Sequence, residues 1–424
     1  MLFQQHIDVV WVRVKALFGG VLMDLKQTDD TVIRRIRAIT DRVNMLKEND
    51  LYFYNQPIKE LRGGARVLVD GREMGMYASY GYLGLLGHPR IGAAAKAAID
   101  KYGTGTHGVR TLAGTLQIHN ELEETIADFK HAEAAVTYSS GYATNLTVVS
   151  TLMGRGDYVL SDKLNHASIV DGCLMSGAEF RRFKHNDMAD LEKRLQQVPS
   201  DRAKLVVSDS VFSMDGDIID LPKVVELCKK YDAWLMIDEA HSVGVLGKTG
   251  RGIEEHFGMN DVIDIKMGTL SKTIPSVGGY VAAKKEIITY LRHASRAYIF
   301  SAALPPAQAA AANEAFKVIL DEPWRIEKLN QNTHQYINGL KDMGFDTMLT
   351  ETAIVPVLCG SDERAFALTR EAQHHDVFVL PVVSPAVPEG LARLRATITA
   401  AHETEEIAYA MEVIGEAGKE IGVI

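Results

Sequence analysis

Residues 220–241 read DLPKVVELCKKYDAWLMIDEAH, and the order of signals within them sets the fold class. Asp220 is a capping residue type. It stands ahead of Leu221 and Pro222, at helix positions where proline's missing N–H costs nothing. Val224, Val225 and Cys228 then fall on one helical face, and Ala233–Ile237 is an apolar run of strand length. That run ends abruptly in Asp238-Glu239-Ala240-His241. A helix feeding a short buried strand with a carboxylate at its carboxyl end is the repeating unit of an α/β sheet.

The unit recurs on both sides. Ala134–Ser139 precede a helix carrying Leu146, Val149 and Met153 on one face, Tyr158–Ser161 precede another, and Ala203–Ser208 lead toward a third. Val262–Met267 and Gly278–Ala283 are further strands, so a mostly parallel sheet with helices on both faces is predicted. The Ala- and Pro-rich stretch Ala302–Ala312 leads into a helical region reaching about Met343, and a smaller C-terminal lobe follows. There Arg393–Thr399 alternates, with Leu394, Ala396 and Ile398 on one face and Arg393, Arg395, Thr397 and Thr399 on the other. Upstream, residues 31–62 are charged and helix-friendly, while Gly63, Gly64, Val67–Asp70 and Gly71 suggest strand and turn. The chain therefore divides into an N-terminal helical segment (1–62), a large domain (63–305) and a C-terminal small domain (306–424).

Ile7, Val10, Trp11, Val14, Leu17, Phe18 and Val21 recur at helical spacing, and Asp8, Arg13 and Lys15 interrupt the run before it reaches spanning length. Packing on the protein's own body or a second subunit is the expected fate of this stripe, with peripheral membrane contact the lesser reading.

Across 424 residues, 46% are hydrophobic and 24% charged, as in an ordinary soluble globular chain. Forty-six Lys+Arg against 55 Asp+Glu give a net charge of -9, which disfavours a bulk nucleic-acid binder. Cys173, Cys228 and Cys359 are widely separated, so neither a disulfide framework nor a metal site is expected, and a reducing cytoplasm fits.

Ligands of open α/β sheets gather at the carboxyl ends of strands. Three such places carry chemistry. Asp238 closes one strand with His241 three residues on; a buried carboxylate there needs a cationic partner. Gly268-Thr269-Leu270-Ser271-Lys272 presents two hydroxyls and an amine on what reads as a loop. Ser140-Gly141-Tyr142 opens a helix, whose free N–H groups favour a phosphate. Singly, each is ordinary turn or cap chemistry. Together they suit pyridoxal 5'-phosphate, whose aldehyde needs a lysine, whose pyridinium nitrogen needs a carboxylate and whose phosphate needs N–H and hydroxyl donors.

The segments TGTHGVRTLAGT (104–115), SDKLNHASIVDG (161–172), VFSMDGD (211–217), IDEAHSVGVLGKTGRG (237–252) and GTLSK (268–272) closely resemble the α-oxoamine synthase family of fold-type I pyridoxal phosphate enzymes. The resemblance runs from about Leu51 to the C-terminus. It implies an aminotransferase-like fold and a homodimer with shared active sites. It also implies condensation of serine, alanine or glycine with an acyl thioester, giving an α-amino ketone, CO2 and free thiol. Members include serine palmitoyltransferases, 8-amino-7-oxononanoate synthases and 2-amino-3-ketobutyrate ligases, the first being slightly favoured here. By resemblance, Lys272 would bind the cofactor aldehyde, Asp238 the pyridinium nitrogen and His241 the ring hydroxyl, while His166 would stack on the ring. Ser140, Gly141, Tyr142, Thr269 and Ser271 would surround the phosphate, and Ser301 would reach the phosphate of the neighbouring subunit. Arg395 would take the amino-acid carboxylate. A family Asn that approaches substrate is replaced by Gly81, in Ser79-Tyr80-Gly81-Tyr82-Leu83-Gly84, and Pro275 is a second local departure. A catalytically dead partner subunit, the rival from another class, is disfavoured because Lys272 and Asp238 are both present.

Overall fold

The computed structural model describes residues 31–424; the Ile7–Val21 stripe lies outside them. A helix over Thr31–Glu48 leads into β1 (Ile58–Gly63), β2 (Arg66–Val69) and β3 (Arg72–Met76), a meander turned at Asp70-Gly71. The stretch expected to stay helical to residue 62 therefore ends in a strand. Gly63-Gly64 make the β1–β2 turn with positive φ.

Seven strands form the central sheet: β4 (Ala134–Tyr138), β5 (Tyr158–Asp162), β6 (Glu179–Phe183), β7 (Lys204–Asp209), β8 (Trp234–Asp238), β9 (Ile265–Ser271) and β10 (Pro275–Ala283). Their order is β4-β10-β9-β8-β7-β5-β6, with β10 antiparallel to both neighbours and the other pairings parallel. Apolar side chains on both faces enter two clusters, Leu160, Val206, Leu235 and Ile237 on one and Val159, Leu205, Val207 and Met236 on the other. Such two-sided burial is why these strands read as continuous apolar runs. Asp220 caps the helix Leu221–Lys230 by accepting from the Lys223 N–H, as its residue type requires. The helix Gly141–Leu152 buries Val149 and, just past its end, Met153, as expected, with Leu146 half-buried and Thr144, Asn145 and Val148 buried beside them.

The helical region from Ala302 to Met343 is two helices, Pro306–Asp321 and Trp324–Asp342, broken at Glu322-Pro323. The C-terminal lobe adds β11 (Ile354–Gly360), β12 (Val377–Phe378), β13 (Leu380–Val382) and β14 (Ala392–Thr397), followed by a helix over Thr404–Ile421. Strand β14 lies between β11 and β13, and all six of its residues are buried. Its polar face is thus an interior one, contrary to the half-solvated strand the alternation suggests. β12 pairs in parallel with β3, Val377 opposite Gly75 and Phe378 opposite Met76. Residues 63–76, assigned from sequence to the large domain, are thereby hydrogen-bonded to the C-terminal lobe. No helix among the described residues is long and apolar enough to cross a membrane.

Candidate active site

The carboxyl ends of β7, β8 and β9 meet the start of the helix Gly141–Leu152 and the buried face of β14. Asp238 closes β8, buried, with Oδ2 accepting from Asn145 Nδ2 at 2.7 Å and Oδ1 from the Ala240 N–H at 2.8 Å. Asp209 is its partner in the strand register and is equally enclosed. Two carboxylates side by side in a low-dielectric site cannot both ionise freely. Burial first, and then the charge of Asp238, pushes the Asp209 pKa well above the usual carboxylate range. Asp209 Oδ2 accepts from the His166 N–H at 2.8 Å, fixing the residue that begins the helix Ala167–Ser176. The His166 ring is held at Nδ1 by Ser168 Oγ, 2.8 Å away, and burial keeps its pKa lowered.

Gly268-Thr269-Leu270-Ser271 is not a loop but the last part of β9. A Cβ on Gly268 would lie 2.3 Å from the Tyr280 ring, so this glycine marks close approach to β10 and not a turn. Lys272 follows directly, with its amine 2.9 Å from His241 Nε2, and His241 Nδ1 is 2.6 Å from the Tyr82 hydroxyl. With the amine donating, Nε2 accepts and the ring proton sits on Nδ1, directed at the Tyr82 oxygen. Burial, then the charges of Lys272 and Arg395, hold the His241 pKa well below 6.5, so the ring stays neutral. Burial likewise pushes the Tyr82 hydroxyl up to about 12.

For Lys272, burial outweighs the opposing charges of Asp238 and Asp209 and brings the pKa down from 10.5 to about 8. Only the uncharged amine attacks an aldehyde. Capture of pyridoxal phosphate by the cofactor-free protein should therefore accelerate up to pH about 8 and then level. A stopped-flow absorbance rate still climbing about tenfold per pH unit at pH 9 would show an ordinary lysine.

Ser140 caps its helix by accepting from the Ala143 N–H at 3.1 Å, leaving the first-turn N–H groups of Gly141 and Tyr142 for a ligand. A Cβ on Gly279 of β10 would lie 2.9 Å from the Gly141 nitrogen, and one on Gly141 would lie 3.1 Å from Thr269 Oγ1. The helix start is thus pressed against β9 and β10. Thr269 Oγ1 is also 2.9 Å from Ser271 Oγ. Ser301 lines a narrow recess with Tyr138 and Ser139 of its own chain.

Arg395 is buried on β14. Its Nε donates to the Ser213 carbonyl at 2.6 Å and its Nη1 to Thr397 Oγ1 at 2.9 Å, while Nη2 has no partner among the described residues. The Tyr80 ring lies 5.0 Å from its guanidinium carbon and 5.6 Å from Lys272 Nζ. Lys272 and Tyr80 border a cavity of about 730 Å³, where Lys272, Tyr80 and Gly81 form one end and Leu61, Val67 and Leu86 line the approach, while Arg395 lies behind the Tyr80 ring. A Cβ on Gly81 would touch only Ser79 Oγ, at 3.7 Å, so the missing Asn leaves free space. A hollow of equal volume at the opposite strand ends, around His131, Asp232 and Asp264, holds none of these groups.

These donors fit pyridoxal phosphate. The buried amine serves an aldehyde, Asp238 a protonated ring nitrogen, and the helix start with Thr269 a phosphate ester. Asp209, Asn145, Tyr80 and Tyr82 complete the site without having been singled out by sequence as cofactor or substrate groups. Asp209 was legible by the rule that picked Asp238, since it ends the adjacent strand one residue beyond Ser208.

The family model for aminotransferase class I and II matches residues 77–414. The 8-amino-7-oxononanoate synthase of Thermoanaerobacter pseudethanolicus is 43% identical over 393 residues, covering 92% of this chain and 99% of the relative. The serine palmitoyltransferase of Sphingobacterium spiritivorum is 43% identical over 370 residues, covering 87% and 92%. A solved serine palmitoyltransferase carrying pyridoxal phosphate superposes with a TM-score of 0.90 at 36% identity, covering 93% of this chain and 100% of that one. The chain belongs to the aminotransferase class I and II family, and within it to the pyridoxal phosphate-dependent α-oxoamine synthases.

Proposed function

We propose that this enzyme condenses a small amino acid with an apolar, unsubstituted acyl thioester. Bound pyridoxal phosphate supplies an aldehyde for the amino group and a protonated ring that accepts a carbanion's electron pair. Arg395 Nη2, buried and unspent, binds the amino-acid carboxylate, and this free donor is the observation that carries the reading. Lys272 Nζ takes the α-proton and Asp238 holds positive charge at the ring nitrogen. His241 keeps its proton on Nδ1, leaving Nε2 toward the amine and the ring hydroxyl. His166 covers the ring face. Gly141, Tyr142, Thr269 and Ser271 hold the phosphate, with Ser140 shaping their turn and Ser301 reaching the phosphate of a second subunit. The new carbon–carbon bond forms as the thiolate leaves and takes a proton from water; loss of CO2 follows, and the α-carbon regains from Lys272 the proton it gave up. The protein works as a cytoplasmic homodimer.

The approach to Lys272 decides the acyl class. Leu61, Ala65, Val67, Met76 and Leu86 line it, and its cations already hold carboxylates. Arg66 pairs with Glu73 at 2.6 Å and Glu406 at 3.0 Å, and Arg325 with Glu322 at 2.6 Å. Among the described residues, the distal carboxylate of a dicarboxylic acyl group, which an oxononanoate synthase must accept, finds no unpaired arginine there, and His88 Nδ1 is the one buried ring nitrogen left without a partner. The sequence identity to such synthases supports that second reading.

Mass spectrometry of products from serine, alanine and glycine, each with palmitoyl- and pimeloyl-coenzyme A, tests both. The expected result is an α-amino ketone from the long apolar chain, preferred about 10²-fold, the scale set by leaving a buried charge unpaired. Dominant use of the pimeloyl thioester would overturn the acyl assignment, and no ketone from any pair would overturn the reaction.

A further inference from the structure

A second cluster of titratable groups lies beyond the cavity wall. His185, just past β6, stands between two carboxylates, with Nδ1 3.1 Å from Asp162 Oδ1 and Nε2 2.9 Å from Asp217 Oδ2. Its ring meets Phe212 edge-on at 4.3 Å. Asp217 and Phe212 both belong to the tight turn after β7. That turn closes through the Phe212 N–H to the Asp217 carbonyl at 3.1 Å and the Ile219 N–H to the Ser210 carbonyl at 3.1 Å. At the tip, Ser213 gives its carbonyl to Arg395 and Asp215 its carboxylate to Arg393. Thr352 donates to the Gly216 carbonyl at 2.9 Å. All three of those tip contacts come from the C-terminal lobe, so they move with β14 and cannot by themselves fix it relative to Lys272. The turn is held to the large domain at its base by Ser210, bonded to the Asp238 carbonyl, by Asn186 on the Ile218 carbonyl, and by the His185 clasp on Asp217.

We propose that His185 is a positioning residue for Arg395: clasped between Asp162 and Asp217, it anchors the 210–219 turn so that the Ser213 carbonyl aims the guanidinium at the amino-acid carboxylate. This rests on the reading of Arg395 as the carboxylate site. Burial works against charge on His185, yet the two carboxylates raise its pKa to about 10, so both ring nitrogens donate at neutral pH.

Steady-state kinetics of the holoenzyme with varied amino acid and varied acyl thioester give the test. His185→Gln should raise the amino-acid KM about tenfold, the scale of a small misplacement at a distance, with the acyl-thioester KM moving less than about twofold. Asp217→Asn should do the same, and the double variant should be no worse than either single one, because one clasp is being broken. Asp217→Asn also carries the test if His185→Gln does not fold. An unchanged amino-acid KM in the folded variants, or both KM values rising together, would overturn the proposal. Arg395→Lys separates the two levels. If it leaves the amino-acid KM unchanged, the carboxylate reading fails; if it raises that KM while His185→Gln does not, only the clasp fails.

Discussion

Replacing Lys272 with alanine is expected to abolish turnover, by about 10⁴-fold or more, the upper range for a positioned acid-base group. The nearest substitute base is His241, 2.9 Å from the amine. Burial is the first cause that holds its pKa well below 6.5, and the Arg395 charge still acts in the same direction once Lys272 is gone, so it attracts a proton too weakly to take over. The helix start and Asp238 remain, and the variant should still retain pyridoxal phosphate through gel filtration, without the yellow colour that borohydride fixes in the parent. Exchange of the amino acid's α-hydrogen for solvent deuterium, followed by NMR, isolates the lost step. Surviving exchange together with borohydride-fixable colour would disprove the role.

The second large effect falls on Asp238→Asn, where turnover should drop about 10³-fold. The amide keeps the shape but offers one oxygen where Asn145 Nδ2 and the Ala240 N–H now reach two. It also removes the charge opposite the ring nitrogen. Breaking one side of a buried ionic contact costs about 3–5 kcal/mol, which sets the size. There is an independent readout. Asp238's charge raises the Lys272 pKa against burial. Its removal should move the pH midpoint for cofactor capture below about 8. An unmoved midpoint with normal turnover would place Asp238 outside the site.

Much of this arrangement could be read from local sequence because the chemistry sits at strand ends. Asp238, Lys272 and the Ser140–Tyr142 turn each follow an apolar run, and the structure brings all three together. Local pattern failed where the deciding contact is distant. GTLSK resembles a loop until Tyr280 of the next strand is seen lying over Gly268. Arg393 and Arg395 alternate with apolar neighbours as on a half-wet strand, and their buried setting depends on Ser213 and Asp215, about 180 residues earlier (395 − 213 and 393 − 215). Asp209 was missed for the opposite reason. The hydroxyl-rich Ser208-Asp209-Ser210 blurs the strand's end, so the strand-end rule that picked Asp238 passed it over, and the register with Asp238 shows the two carboxylates to be equivalent.

The parallel pairing of β3 with Val377–Phe378 bears on synthesis. Met76 leaves the ribosome about 300 residues before its partner Phe378 exists (378 − 76). At 5–20 residues per second the delay is about 15–60 s. Throughout that interval the nascent chain presents an open backbone rim at β3, exposed to the chaperones and proteases that attend unfinished polypeptides. A translational stop anywhere before codon 377 would therefore release a product whose front hairpin never acquires its last strand.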